Sequence, residues 1–461
     1  MISIDDQISN YFIKNSNKFK INSKEIKKND IFIALKGSKY HGNRFINDSL
    51  KAGARYCITD KRSKYFLKNE KIYLVENVIS YLRNLSIKKR ALYNGNVIGI
   101  TGSAGKTSLK EYLKFFLEKK YKVSASIKSY NNNLGVILSI LNMNINSEFA
   151  IFEIGTNNFF EIRDLTKLVK PSQVFITNIQ STHLKNFKSK KNIAIEKSDI
   201  FNKKYNQNVK TLFFQMNSKE EKIINNIAKK QKIKNIIKIG NSGLDCFIKS
   251  IKEDKLNYLV NLNVLKKNFS LKLKNYNENN LNNLIYVLAF FMFNKINTEV
   301  ITNNKQMFPQ VEGRGSIHHL KINKKNIQLI DQSYNANPDT MISSIKHFSK
   351  INKKGFKKIL ILGNMNELGN KAVKYHFNVI QEIEKDIFDS VILSGGLFKK
   401  ALNMSSKLKN KYVYRNSSET IMSYLIKTIH KKAIMMIKCS NSTEVNKLAK
   451  LLKSKMREKF V

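Results

Sequence analysis

The sequence has no tryptophan, 3 prolines and 3 cysteines in 461 residues. The cysteines, Cys57, Cys246 and Cys439, are odd in number and far apart, which excludes a disulfide framework and a clustered thiolate metal site. With so little proline, no proline-rich linker marks a domain border. Acidic residues are scarce too: Asp+Glu number 34 against 83 Lys+Arg, a formal charge of +49. Long apolar runs are missing, and the longest, 284–293, is about half the ~20 residues a membrane span needs. Met1-Ile-Ser-Ile-Asp-Asp6 lacks the basic and apolar regions of a secretory signal, so a cytoplasmic protein without a transmembrane segment is expected.

What is present is enough for a folded enzyme. Hydrophobic residues make up 42% and aromatics 10%, which supports sizeable cores. At about 150 residues per domain the length suggests roughly three domains. The lysines are spread along the whole chain together with asparagine and isoleucine, a pattern of compositional drift on surface positions. Aromatic–basic interleaving of the kind that binds nucleic acid is not seen. A basic nucleic-acid-binding protein with a phosphate-loop domain is the alternative of a different class, and it predicts salt-steep nucleic-acid binding.

Three zones emerge. Asp30-Ile-Phe-Ile-Ala-Leu-Lys-Gly37 and Tyr56-Cys-Ile-Thr59 predict strands in the first. Val97-Ile-Gly-Ile-Thr101 opens the second as a strand, with Leu109, Tyr112, Leu113, Phe116 and Leu117 on one face of a following helix. Further strands are expected at 149–152 and 174–176, and in the last zone at 327–330, 359–362, 391–393 and 433–437. Strand–helix alternation in every zone predicts an α/β class with largely parallel sheets.

The strongest chemical signal is Thr101-Gly-Ser-Ala-Gly-Lys-Thr-Ser108, between the strand and the helix. Gly102, Ser103, Ala104 and Gly105 let backbone N–H groups approach phosphates, and Lys106, Thr107 and Ser108 open the helix, whose dipole favours an anion. Lys106 suits the β/γ-phosphates and the Thr107 hydroxyl suits Mg²⁺. Two other strands end in polar groups, Glu153 on one and Thr177-Asn178 running to His183 on the other. In open α/β sheets such ends converge on a ligand, and Glu153 is an oxygen donor for Mg²⁺. Farther on, Asp331 ends a strand, Gln332-Ser-Tyr-Asn-Ala-Asn-Pro338 follows, and Arg314 in Gly313-Arg-Gly315 offers a guanidinium for phosphate. These residues point to an ATP- and Mg²⁺-using enzyme.

In these motifs the chain resembles the ATP-dependent Mur ligases over nearly its whole length. The resemblance rests on Asp30 to Gly37 with His41-Gly42, on Thr101 to Ser108, and on Tyr130-Asn-Asn-Asn-Leu-Gly135. It continues through Glu153-Ile-Gly-Thr-Asn157, Thr177-Asn178 through His183, and Ile195-Glu-Lys-Ser-Asp-Ile-Phe201. Asp331-Gln-Ser-Tyr-Asn-Ala-Asn-Pro338 and Leu362-Gly-Asn-Met-Asn-Glu-Leu-Gly369 complete it.

The resemblance implies three α/β domains: a UDP-substrate domain at 1–94, an ATP-binding domain with a mainly parallel sheet at 95–311, and a Rossmann-like domain at 312–461. It implies an amide ligase of peptidoglycan precursor synthesis that joins D-alanyl-D-alanine to UDP-N-acetylmuramoyl-tripeptide through an acyl phosphate. A sister enzyme adding the third amino acid is disfavoured by the loop from Ser333 to Pro338. Lys106, Glu153, His183 and Lys197 are the catalytic residues so implied, with Thr107, Glu153, His183 and Lys197 at the metal. The matched lysine, Lys197, is expected to be carbamoylated. Arg314 and Asp331 are expected to reach the nucleotide, and Ser23, Asn178, Asn335 and Asn337 the substrates. No specific nucleic-acid partner and a monomeric state are expected. Departures from the family pattern fall at Asn277, Asn279, Gln332, Asn364 and Cys439, the last where a glycine is usual.

Overall fold

Short apolar strands alternating with amphipathic helices build three sheets in the computed structural model. It describes residues 6–61, 69–254, 257–273, 278–303, 309, 311–322, 324–351, 353–405 and 411–457. The first sheet is parallel and in chain order: β1 (Phe19–Lys20), β2 (Ile31–Ala34), β3 (Tyr56–Thr59) and β4 (Ile72–Leu74). All four residues of β2 are buried, as expected of a parallel strand covered on both faces.

The second sheet has nine strands among the described residues: β5 (Asn96–Thr101), β6 (Val123–Ala125), β7 (Phe149–Glu153), β8 (Gln173–Ile176), β9 (Thr211–Gln215), β10 (Asn235–Gly240), β11 (Cys246–Asp254), β12 (Asn257–Val264) and β13 (Lys267–Leu273). Their order is β13-β12-β11-β10-β9-β8-β5-β7-β6. The β6 to β11 pairings are parallel, but β11, β12 and β13 form an antiparallel meander that the expectation of parallel sheets did not include. Its signal is plain alternation: Phe269, Leu271 and Leu273 are buried while the residues between them are exposed. The helix Lys106–Leu117 carries the anticipated stripe, with Leu109, Tyr112, Leu113, Phe116 and Leu117 all at most 1% exposed. Burial of each such side chain contributes about 1.5–3 kcal/mol.

The third sheet comprises β14 (Ser316–Ile322), β15 (Lys325–Gln332), β16 (Lys357–Gly363), β17 (Ser390–Ser394), β18 (Val413–Tyr414) and β19 (Ala433–Lys438), in the order β14-β15-β19-β16-β17-β18. Only the β14–β15 edge pair is antiparallel. Helices cover both faces, as in a doubly wound fold.

The first two sheets share one apolar core, running from Phe12 and Phe19 through Leu82, Val136 and Ile176. Two basic side chains at the end of helix Val78–Ala91 reinforce the joint. Lys89 Nζ donates to the carbonyls of Asn15 and Leu141, each at 2.6 Å, and Arg90 donates to the carbonyls of Val169 and Lys170. They thereby satisfy carbonyls at the ends of helices Asn133–Asn142 and Glu161–Val169, where cations are favoured.

The cysteines are buried and unpaired. Cys439 fits because its neighbour is Gly363: a Cβ at position 363 would lie 2.7 Å from Cys439 Cβ and 3.0 Å from Val445 Cβ. Gly363→Ala is therefore expected to lower stability by about 1–3 kcal/mol, and Cys439→Gly in the same chain to recover most of it. Equal loss in the single and double variants by thermal unfolding would refute that shared-volume account.

Candidate active site

The strand β5 stops where its chain must turn sharply towards the helix Lys106–Leu117. Gly102 (φ +144°) and Gly105 (φ +84°) take left-handed conformations, and a side chain at Gly102 would overlap Thr177. The loop is fastened in large part from the residues that follow β8. Ser103 N–H donates to Asn178 O at 3.0 Å, Ala104 N–H to Asn178 Oδ1 at 2.9 Å, and Thr177 Oγ1 to Ala104 O at 2.5 Å. Lys106 folds back to donate to Gly102 O at 2.7 Å. Desolvation lowers the Lys106 pKa, Glu153 opposes that, and Arg314 adds to it. Arg314 comes from the third domain, so its charge is felt at the phosphate loop.

Parallel register places Glu153 opposite Ile100 and Ile176 opposite Thr101, bringing three strand ends to one edge. Glu153 is 1% exposed. It accepts from Thr107 Oγ1 and Asn131 Nδ2, each at 2.7 Å. Thr107 and Glu153 thus form an oxygen pair directly beneath the loop. Mg²⁺ prefers oxygen and keeps several ligands for water and phosphate, so two protein oxygens fit it.

Lys197 lies on helix Lys190–Ser198 and is 2% exposed. No hydrogen bond or ion pair reaches its amine among the described residues. Desolvation drives its pKa well down, Lys106 adds to the effect, and Glu196 opposes it. Glu196 itself holds the segment after β7, accepting from Phe160 N–H at 2.7 Å and Ile162 N–H at 3.0 Å.

The third domain meets this edge through polar contacts. Asn337 Nδ2 donates to Gln180 Oε1 at 3.2 Å, and Gln180 N–H donates to Ser103 Oγ at 2.9 Å, so a relay runs from the Ser333–Pro338 segment to the phosphate loop. Asp339 accepts from Ser181 N–H at 2.7 Å and from Lys190 at 2.9 Å. Tyr334 is hydrogen-bonded to Ser129 and carries the Arg314 guanidinium 4.2 Å above its ring. His183 Nδ1 lies 2.5 Å from Glu367 Oε2, a hydrogen bond that holds the Glu367 carboxyl below its usual range.

Residues 100–291 match the family model of the Mur ligase middle domain, and residues 317–441 that of the Mur ligase glutamate ligase domain. The UDP-N-acetylmuramoyl-tripeptide–D-alanyl-D-alanine ligase of Rickettsia prowazekii is 30% identical over 452 residues, covering 97% of each chain. The chain belongs to the Mur ligase family. The enzyme of the same name from Buchnera aphidicola subsp. Baizongia pistaciae is also 30% identical, over 92% of this chain and 89% of its own. Two solved structures share the fold: MurF ligase from Thermotoga maritima in complex with ADP (TM-score 0.77, 22% identity, 97% and 99% of the chains) and MurF from Acinetobacter baumannii (TM-score 0.78, 21% identity, 97% and 98%). Three α/β domains with predominantly parallel sheets are thus the architecture of this Mur ligase.

Several sequence-derived residues are engaged with other parts of the protein. His183 pairs with Glu367, and no contact joins it to Thr107 or Glu153. Asp331 is fully buried, accepting from Ser333 Oγ at 2.6 Å and Lys453 at 2.8 Å, so its carboxylate is occupied inside the third domain. Asn178 braces the loop. Asn335 is exposed, with Oδ1 accepting the Ala336 N–H, whereas Asn337 caps helix Pro338–Lys350. Ser23 lies on a short 3₁₀ turn capped by Asn22 in the first domain, the one expected to take the UDP-linked substrate. Asn277 lies outside the described residues, and Asn279 is described in backbone only, in helix Glu278–Phe293. Gln180, Asp339 and Glu367 escaped the sequence reading; for Glu367 the only sequence cue was its place inside a recognised motif.

At Gln332 the usual aspartate is missing, and this leaves a mark. Lys438 donates to Gln332 Oε1 at 3.1 Å, Ser344 donates to the same oxygen at 2.6 Å, and among the described residues no carboxylate faces the lysine. Burial pushes Lys438 down to about 8 from 10.5. The unfolded chain then holds this proton more tightly, so stability rises as pH climbs from about 8 towards 10.5. Gln332→Glu presents a carboxylate to both donors and is expected to add about 1–2 kcal/mol at pH 7 and to abolish that rise. Thermal unfolding at pH 7 and pH 9.5 measures both.

Proposed function

We propose that this Mur ligase joins D-alanyl-D-alanine to UDP-N-acetylmuramoyl-tripeptide with ATP, the reaction for which the relatives it matches over nearly their whole length are named. The observation that carries the proposal is the Asn337–Gln180–Ser103 relay, which ties the loop expected at the dipeptide to the loop expected at the phosphates. Residues 1–94, 95–311 and 312–461 are assigned as the substrate, ATP and dipeptide-side domains of a cytoplasmic monomer.

The reaction needs positioning and charge neutralisation more than covalent help from the protein. The tripeptide carboxylate attacks the γ-phosphorus and ADP leaves, giving an acyl phosphate. The dipeptide amine then attacks the acyl carbon, and inorganic phosphate departs with the C–O bond pair. The backbone of residues 102–105 and the first turn of helix Lys106–Leu117 cradle the phosphates. Lys106 releases Gly102 O to meet them, and Arg314 adds a second cation from the third domain. Thr107 and Glu153 would hold Mg²⁺, which would supply neutralisation of phosphate charge.

Lys197 suits carbamoylation. Burial depresses its pKa and so favours the neutral, nucleophilic amine; that nitrogen bonds the carbon of CO₂, one proton leaves, and a carboxylate then stands among cations. A carbamate there places negative charge beside Lys106, which an ammonium would repel.

Phosphate release from Mg-ATP should require both the UDP-linked tripeptide and the dipeptide, with UDP-linked pentapeptide detected by mass. Release stimulated by nucleic acid instead would sink the proposal. Lys106→Ala should cut the rate by 10²-fold or more. Lys197→Ala should lose activity, and CO₂-depleted buffer should depress the unmutated enzyme until bicarbonate is restored. A carbamate signal in ¹³C spectra that vanishes with Lys197→Ala checks the modification itself.

A further inference from the structure

His376 has no place in the chemistry above, yet it is fully buried on helix Ala372–Ile383 with both ring nitrogens engaged. Nδ1 lies 2.7 Å from Ala372 O, which can only accept, so the proton sits on Nδ1. Nε2 is left as an acceptor, and Met365 N–H donates to it at 3.0 Å. The ring is held edge-on against Phe398, with centroids 4.7 Å apart. Met365 begins the segment that carries Glu367 to the central domain.

That segment is gripped from its other side as well. Asn366 N–H donates to Ser440 Oγ at 3.0 Å, and Asn366 Nδ2 donates to Ser442 Oγ at 2.9 Å. Just beyond the two grips the chain makes a left-handed turn at Glu367 (φ +63°) and another at Gly369 (φ +65°), where a Cβ would lie 3.3 Å from Lys185 Cα. The turn aims Glu367 at the central domain twice: its carboxylate meets His183, and its carbonyl accepts Lys185 N–H at 3.2 Å. The Glu367 side chain is 55% exposed. An ion pair that open to water gains little by itself, and ordering a free loop to make it would cost more than it returns. Here the loop is held from within its own domain, by His376, Ser440 and Ser442.

We infer that His376 is a positioning residue of this ligase: its imidazole holds residues 365–367 in the shape that lets Glu367 clasp His183 and Lys185 across the domain boundary. The inference rests on the proposed ligase reaction only for its kinetic consequence. Burial pushes His376 down to about 4, so the acceptor nitrogen stays free of a proton throughout the neutral range.

The test is a double-mutant cycle between His376→Leu and Glu367→Ala, read by dipeptide-dependent phosphate release and by amide exchange at Lys185. His376→Leu should lower kcat about tenfold while ATP binding to the central domain stays within twofold. The double variant should be no slower than the slower single variant, because both changes remove the same clasp. His376→Gln, whose amide can both donate and accept, should recover most of the rate. Lys185 exchange should accelerate in His376→Leu and return in His376→Gln.

Multiplying losses in the double variant, or Lys185 exchange unchanged by His376→Leu, overturns the inference. If His376→Leu does not fold, the cycle is run with His376→Gln against His376→Asn, whose shorter reach should open the clasp. Failure of the unmutated protein to release phosphate would count against the ligase proposal alone, since Lys185 exchange decides the role of His376 without turnover.

Discussion

The register of three parallel strands is the constraint on which the site depends. With Ile100 beside Glu153 and Thr101 beside Ile176, the ends of β5, β7 and β8 fall level with one another. A slip of one residue would turn Glu153 to the other face of its strand and withdraw the Asn178 brace from the phosphate loop. The buried apolar faces of these strands oppose such a slip. The hydrophobic core is therefore what places the oxygen pair Thr107–Glu153 beneath the phosphate loop.

Local pattern carried the reading where chemistry is local. The strand–turn–helix around Thr101 to Ser108, the apolar stripe from Leu109 to Leu117, and the carboxylate ending β7 are all visible in short windows, because each is set by neighbours within a few residues. The family resemblance extended that to three domains. The meander of β11 to β13 was legible as alternation at 269–273 but was masked by lysines and asparagines on its exposed face. Residues whose role is tertiary were not legible. Gln180, Asp339 and Glu367 matter through contacts between positions more than 150 residues apart, which no local pattern reveals even where a residue lies inside a recognised motif. Asp331 shows the converse: a strand-ending carboxylate that looks like a ligand is consumed by Ser333 and Lys453.

The basic composition also looks different once side chains are placed. Lys89 and Arg90 satisfy helix-end carbonyls, Lys110 donates to the carbonyls of Ser126 and Lys128, and Lys453 joins Glu312 to Asp331. These cations are internal fittings, distinct from the exposed lysines at 229–234. In a chain with few acids, backbone carbonyls take over as partners for buried positive charge. Lys438 is the case where the substitution went to a neutral amide, and Lys197 is the one left with no partner.

The two joints of the molecule differ in material. Between the first and second sheets the seam is apolar and continuous, and sliding one part against the other would open voids or wet the interior at every step. Between the second and third, the named contacts are hydrogen bonds and ion pairs among Gln180, Asn337, Asp339, Ser181, Lys190, His183 and Glu367, which water can replace one at a time. The molecule is thus jointed by one apolar seam and one polar seam, and the polar one is the easier to part.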